Sequence, residues 1–115
     1  MPLIKIEIPT DLQEEQKNKI LTQASKIVSK NTGKPEQYIM VTISKADFAM
    51  AGAPASAAFV DVRGIGGINA ENNGGISKDI CALLESELGI TPENIYLNFT
   101  DVPGQNWGLN GSTFI

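Results

Sequence analysis

The chain contains no histidine and one cysteine, Cys81. A histidine-ligated zinc site, a Ser-His-Asp triad and a Cys-His dyad therefore cannot be assembled, and an internal disulfide framework is excluded. Basic residues are also scarce, with nine Lys and Arg against thirteen Asp and Glu and a net charge of −4. A nucleic-acid surface needs clustered cations to neutralise phosphates, so this class is not expected. No apolar run approaches the roughly 20 residues that span a bilayer. The start, Met1-Pro2-Leu3-Ile4-Lys5-Ile6-Glu7, lacks the basic region and long apolar core of a signal peptide. A cytoplasmic protein without a membrane partner is the expectation. Cys81 lies in Ile80-Cys81-Ala82-Leu83-Leu84 and reads as a buried core thiol.

What is present is an ordinary apolar share, 42%, on 115 residues, enough for a single domain spanning 1–115. A domain this small buries a limited fraction of its surface, which makes association with a partner attractive. Ile4, Ile6 and Ile8 alternate with Lys5 and Glu7, the period of a half-buried strand that Pro9 ends. Thr10 or Asp11 is expected to cap a helix with Ile20, Ala24, Ile27 and Val28 as its apolar stripe, closed by Gly33. A strand over Tyr38–Ile43 follows.

The second half repeats this plan. Phe59–Val62 reads as a strand, and a helix from about Asn69 carries Ile76, Ile80, Leu83, Leu84 and Leu88. Gly89 closes that helix, and Ile95–Thr100 forms the last strand. Gly33-Lys34-Pro35-Glu36-Gln37-Tyr38 is echoed by Gly89-Ile90-Thr91-Pro92-Glu93-Asn94-Ile95, so a tandem β-α-β repeat is visible internally. Right-handed crossovers then put both helices on one face of an α+β, four-stranded mixed sheet. The other face stays bare and semi-apolar, which predicts a homo-oligomer. Gly74-Gly75 falls within the second helix at a cost of about 2 kcal/mol against alanine, unless that helix starts later.

Three features offer chemistry. Removal of Met1 would expose Pro2 as a secondary amine, whose ordinary pKa of about 7.7 to 8.0 falls on burial, making a general base near neutral pH. Lys34, just past Gly33, either caps the helix C-terminus in solvent or reaches a neighbouring pocket. Arg63-Gly64-Ile65-Gly66-Gly67-Ile68-Asn69 joins a strand to a helix and is either a conformational turn or an oxygen-binding one. It is not a dinucleotide fingerprint, since Asn69 stands where a third glycine belongs, and no cofactor is expected. Trp107, Leu109 and Phe114 fit an apolar pocket, an interface or the core equally well. Asn98-Phe99-Thr100 and Asn110-Gly111-Ser112 match a glycosylation triplet, read here as coincidence.

Taken together, Met1-Pro2, Thr32-Gly33-Lys34-Pro35-Glu36-Gln37-Tyr38-Ile39, Gly64-Ile65-Gly66-Gly67, Ile95-Tyr96-Leu97-Asn98-Phe99 and Asn110-Gly111-Ser112-Thr113-Phe114 resemble the macrophage migration inhibitory factor and D-dopachrome tautomerase family. The resemblance covers essentially the whole chain. It implies a homotrimer with sites between subunits and keto–enol tautomerisation of an arylpyruvate such as phenylpyruvate. Pro2 would be the catalytic base, with Lys34 and the Ile65 N–H holding substrate oxygens. Tyr96 and Asn98 would reach across from the adjacent subunit, and Tyr38, Trp107 and Phe114 would wall the aromatic end. A cytokine-like receptor-binding role with a vestigial site is the alternative the same resemblance carries. Two departures stand out. Ala57 and Val60 replace a Cys-x-x-Cys pair, and Trp107-Gly108-Leu109-Asn110 replaces a common Gly-Trp-Asn order.

Overall fold

Alternation in the first strand, β1 (Leu3–Ile8), sorts its side chains: Ile4, Ile6 and Ile8 are buried while Lys5 points to solvent. The computed structural model describes residues 1–115 and continues with α1 (Glu14–Thr32), β2 (Met40–Lys45), a short hairpin of β3 (Ala49–Met50) and β4 (Ala53–Pro54), and β5 (Ala58–Gly64). Then come α2 (Ala70–Leu88), β6 (Ile95–Asp101) and a terminal hairpin of β7 (Gly108–Leu109) and β8 (Ser112–Thr113).

The main sheet has the order β2-β1-β5-β6. Its outer pairs are parallel and its central pair, β1 with β5, is antiparallel. The architecture is thus α+β, two β-α-β units joined through their first strands. One core gathers the inward residues of the strands with Ile20, Ala24 and Val28 of α1 and Ile76, Ile80 and Leu84 of α2. Each fully buried Ile, Leu or Val contributes about 1.5–3 kcal/mol relative to exposure. The opposite sheet face is open, with Met40 63% and Tyr96 64% exposed. Leu3 faces Met40 and Arg63 there, and Lys5 faces Thr42 and Asp61.

Several local expectations are corrected. Neither Thr10 nor Asp11 caps α1, which starts at Glu14 after Gln13 with no side-chain cap bond. The N-cap position falls two residues on, at Gln13, and the exposed Asp11 carboxylate lies 3.3 Å from Lys45 Nζ. Tyr38 belongs to a 3₁₀ turn, Glu36–Tyr38, and the strand begins only at Met40. Gly74 and Gly75 are both helical, since α2 starts at Ala70 with Asn69 Oδ1 accepting the Asn72 N–H. Cys81 is half-buried rather than fully buried, packed against the edge of the core. Burial, and secondarily the Glu85 carboxylate, push its thiol pKa up.

Candidate active site

Because β1 and β5 are antiparallel, the start of β1 lies beside the end of β5, with Leu3 opposite Arg63. Because β1 and β2 are parallel, the start of β2 lies there too, with Met40 opposite Leu3. The chain start, the C-terminal end of α1 and the glycine turn after β5 are therefore brought to one end of the sheet by topology alone. Pro2 is buried, and its carbonyl accepts the Met40 N–H at 3.1 Å.

An apolar cavity of about 330 Å³ opens there, lined by Met1, Gln37, Tyr38, Ile39, Met40 and Leu109. Leu109 reaches it from the terminal hairpin, whose two-residue turn is Asn110-Gly111 with φ of 51° and 83°. Such left-handed pairs suit the twist of a tight hairpin. The Asn-Gly pair, read from the sequence as a chance glycosylation triplet and as part of the terminal family motif but not as a hairpin turn, thus places a cavity wall.

The polar side of this end is built from α1 and the glycine turn. Gly33 closes α1 at φ 74°, its N–H bonded to Ser29 O, and delivers Lys34 next in the chain. Lys34 is half-buried and its stem lies along the turn. A Cβ placed on Gly67 would sit 3.4 Å from Lys34 Cε, and one on Gly66 would sit 3.6 Å from Lys34 Nζ. Both glycines adopt positive φ, 70° and 77°, so side chains there would strain the backbone as well as crowd the lysine.

The turn is held at three points. Val102 N–H donates to Gly64 O at 2.8 Å, Gly66 N–H donates to Asp101 Oδ1 at 3.3 Å, and Asn72 Nδ2 donates to Gly67 O at 3.0 Å. Between these ties the Ile65 N–H has no acceptor within the subunit. A backbone donor left without a protein partner, in the turn along which Lys34 lies, suits an anionic or carbonyl oxygen. Asp101 and Asn72 escaped sequence reasoning, since neither belongs to a motif read there.

The N-terminal amine feels both features. Burial lowers its pKa, and the Lys34 charge lowers it further. Met1 is the physical link between cavity and turn, for its carbonyl oxygen would lie 3.7 Å from a Cβ on Gly64. With Met1 attached, the Pro2 nitrogen is a tertiary amide whose lone pair is delocalised into the carbonyl.

Of the residues expected at a site, Pro2, Lys34, Ile65 and Tyr38 lie at this one end of the sheet, and of these Tyr38 lines the cavity. Trp107 and Phe114 do not line the cavity. They brace the hairpin that carries Leu109, Phe114 N–H bonding Trp107 O and Gly104 O. Tyr96 and Asn98 lie on the open sheet face, beside Phe59 and Asp61. Arg63 shares that face and is committed to Asp61, with Nη2 to Oδ2 at 2.8 Å. No group of three His, Cys, Asp or Glu side chains converges as metal ligands would, and no helix is long and apolar enough to cross a membrane.

Comparison with known proteins identifies the family and the fold. The family described as macrophage migration inhibitory factor matches residues 1–115. A macrophage migration inhibitory factor homolog of Trichuris trichiura is 36% identical over 95 residues, 82% of this chain and 83% of that one. Among solved structures, the macrophage migration inhibitory factor-like protein of Entamoeba histolytica superimposes with a TM-score of 0.93 at 37% identity, covering 98% of both chains. That of Toxoplasma gondii gives 0.94 at 31% identity, covering 97% of this chain and 99% of its own. The chain belongs to the macrophage migration inhibitory factor family.

Proposed function

We propose that the chain, once Met1 is removed, is a keto–enol tautomerase of phenylpyruvate-like aromatic α-keto acids, with Pro2 as general base. The observation that carries this reading is that the chain start, whose Met1 amine is pushed down by burial and by Lys34, meets the glycine turn with its unpartnered Ile65 N–H at one end of the sheet, where Met1 also lines an apolar cavity. Freed of Met1, Pro2 is a secondary amine at a buried chain start, and burial favours its neutral form. It takes the proton from the carbon beside the keto group. Negative charge then grows on the substrate's oxygens, where Lys34 and the Ile65 N–H stabilise it. The protonated Pro2 returns the proton to oxygen or carbon, which completes the isomerisation without a cofactor. Tyr38 and Leu109 contact the aromatic end.

The open sheet face supports assembly as a homotrimer, in which Tyr96 and Asn98 of a neighbour complete each site. Within one subunit they do not line the cavity.

Ultraviolet-monitored phenylpyruvate tautomerisation tests the reading, on preparations whose N-terminus has been checked by mass spectrometry. Turnover is expected only from the Met-free form, and Pro2→Ala should lower it by about 10²-fold or more, the usual range for a general base. Equal turnover with and without Met1 would overturn the role of Pro2.

A further inference from the structure

Lys34 stands just outside α1, where a chain leaving a helix is ordinarily free to swing. Here both polar groups of its backbone are held by hydroxyls of the helix's last turns. The Lys34 N–H donates to Thr32 Oγ1 at 3.2 Å, and Ser29 Oγ donates to the Lys34 carbonyl at 2.6 Å. Thr32 is itself anchored, its hydroxyl donating to Val28 O at 2.6 Å, so it accepts from one side while bound on the other. Its methyl side packs on the opposing turn. A Cβ on Gly67 would lie 3.4 Å from Thr32 Cβ and 3.6 Å from Thr32 Cγ2. One threonine therefore touches both polar elements of the site, the lysine through its peptide and the glycine turn through its carbon atoms.

We propose that Thr32 and Ser29 are positioning residues, whose hydroxyls clamp the Lys34 peptide so that the Lys34 ammonium and the Ile65 N–H address the same substrate oxygens. This rests on the tautomerase reading for its catalytic meaning, but the clamp also has a consequence independent of turnover. Lys34 is the charged side chain whose field reaches the N-terminal amine. Loosening its peptide lets the ammonium drift toward water, which weakens that field. A purely structural role for the two hydroxyls would lower the melting temperature and leave the amine's titration alone. Sequence patterns give little hint of this, because Ser and Thr near a helix end commonly bond back to their own helix.

The experiment compares Met-free parent, Thr32→Val, Ser29→Ala, the double variant and Thr32→Ser. Two readouts are taken: KM and kcat for phenylpyruvate, and the Pro2 amine titrated by ¹⁵N NMR. For a loosened substrate clamp, KM should rise about five- to tenfold in the double variant, with kcat within about threefold. The amine pKa should move upward, and Thr32→Ser, which keeps the hydroxyl, should restore both. Unchanged KM and unchanged amine pKa in the folded double variant would overturn the inference. If that variant does not fold, Ser29→Ala alone, which removes only the bond to the Lys34 carbonyl, decides in the same way. A parent without turnover would sink the tautomerase reading, and the amine titration would still accept or reject the clamp.

Discussion

The two ends of the sheet are related by the internal repeat, yet one is open and polar while the other is sealed. At the first, α1 closes on Gly33, a 3₁₀ turn follows, and β2 begins beside the chain start. At the second, α2 closes on Gly89 with the same left-handed geometry, a 3₁₀ turn follows, and β6 begins beside Ala58. The residue after the closing glycine separates them. Lys34 lies along a glycine turn, whereas Ile90 is 1% exposed and belongs to the core with Ile8, Ala58 and Ile95. The strand starts differ too, since Pro2 adjoins the terminus while Ala57 sits mid-chain, both buried. The two ends therefore differ in one side chain and in the chain start, with no change of backbone plan, and the proposed site is at the end that has both the lysine and the chain start.

That contrast is broken most severely by truncating the plug. Ile90→Ala removes a fully buried branched side chain and leaves a cavity, which should destabilise the subunit by about 2–5 kcal/mol. Urea denaturation followed by circular dichroism would measure it. A cost below about 1 kcal/mol would mean that the second end is not sealed by Ile90.

The same substitution at the equivalent position of the first end should act on chemistry instead. Lys34→Ala is expected to lower kcat/KM about 10- to 100-fold, as for a lost charged hydrogen bond of about 1.5–3 kcal/mol, with stability nearly unchanged. The pH profile supplies a second reading. Burial and the Lys34 charge both disfavour the protonated Met1 amine; if the same end acts on the Pro2 amine exposed by Met1 removal, activity should fall on the acid side as Pro2 takes up its proton. Removing Lys34 relieves part of that penalty and raises the amine pKa, so the acid limb should move to higher pH. A limb that stays in place would show that burial alone sets the base.

The repeat, the helix closures and the buried stripes were legible in the sequence because each is a local period or a glycine with one job. Ile4-Ile6-Ile8, and the two echoing segments after Gly33 and Gly89, needed no tertiary information. Features set by distant partners were not legible. Asp11 looks like a cap, yet the N-cap position falls at Gln13 and Asp11 lies 3.3 Å from Lys45, and Tyr38 looks like strand because its neighbours are β formers. Of the site, Pro2, Lys34 and Tyr38 could be named from motif positions. That the Ile65 N–H is free, that Asp101 and Asn72 pin the turn, and that Leu109 rather than Trp107 lines the cavity depend on backbone bonding and hairpin geometry.

The smallest effects test the contrast where the helices cross. Near the open end Asn31 of α1 sits against Gly75 of α2, and a Cβ there would overlap Asn31 Oδ1. The same offsets from the closing glycines at the sealed end give Glu87 and Lys19, an ion pair at 3.0 Å. Gly74, one residue earlier, has nothing within 4 Å of its Cβ position. Gly74→Ala should therefore stabilise the protein by about 1 kcal/mol through helix propensity alone. Gly75→Ala gains the same propensity but displaces the Asn31 amide, which donates to Ile27 O at 2.9 Å and to Asp79 Oδ2 at 3.1 Å. Losing two bonds that contribute about 0.5–1.5 kcal/mol each should cancel the gain and leave the variant up to about 2 kcal/mol less stable. Acid sharpens the distinction. Asn31, and then Lys30 against the opposing effect of burial, hold the Asp79 carboxyl below its ordinary range, a stabilisation fully present above that range and lost as pH falls from it through the lowered value. Gly75→Ala should flatten this acid dependence and Gly74→Ala should not. Matching stability gains in both variants would mean that the Asn31 seat on α2 carries no energy.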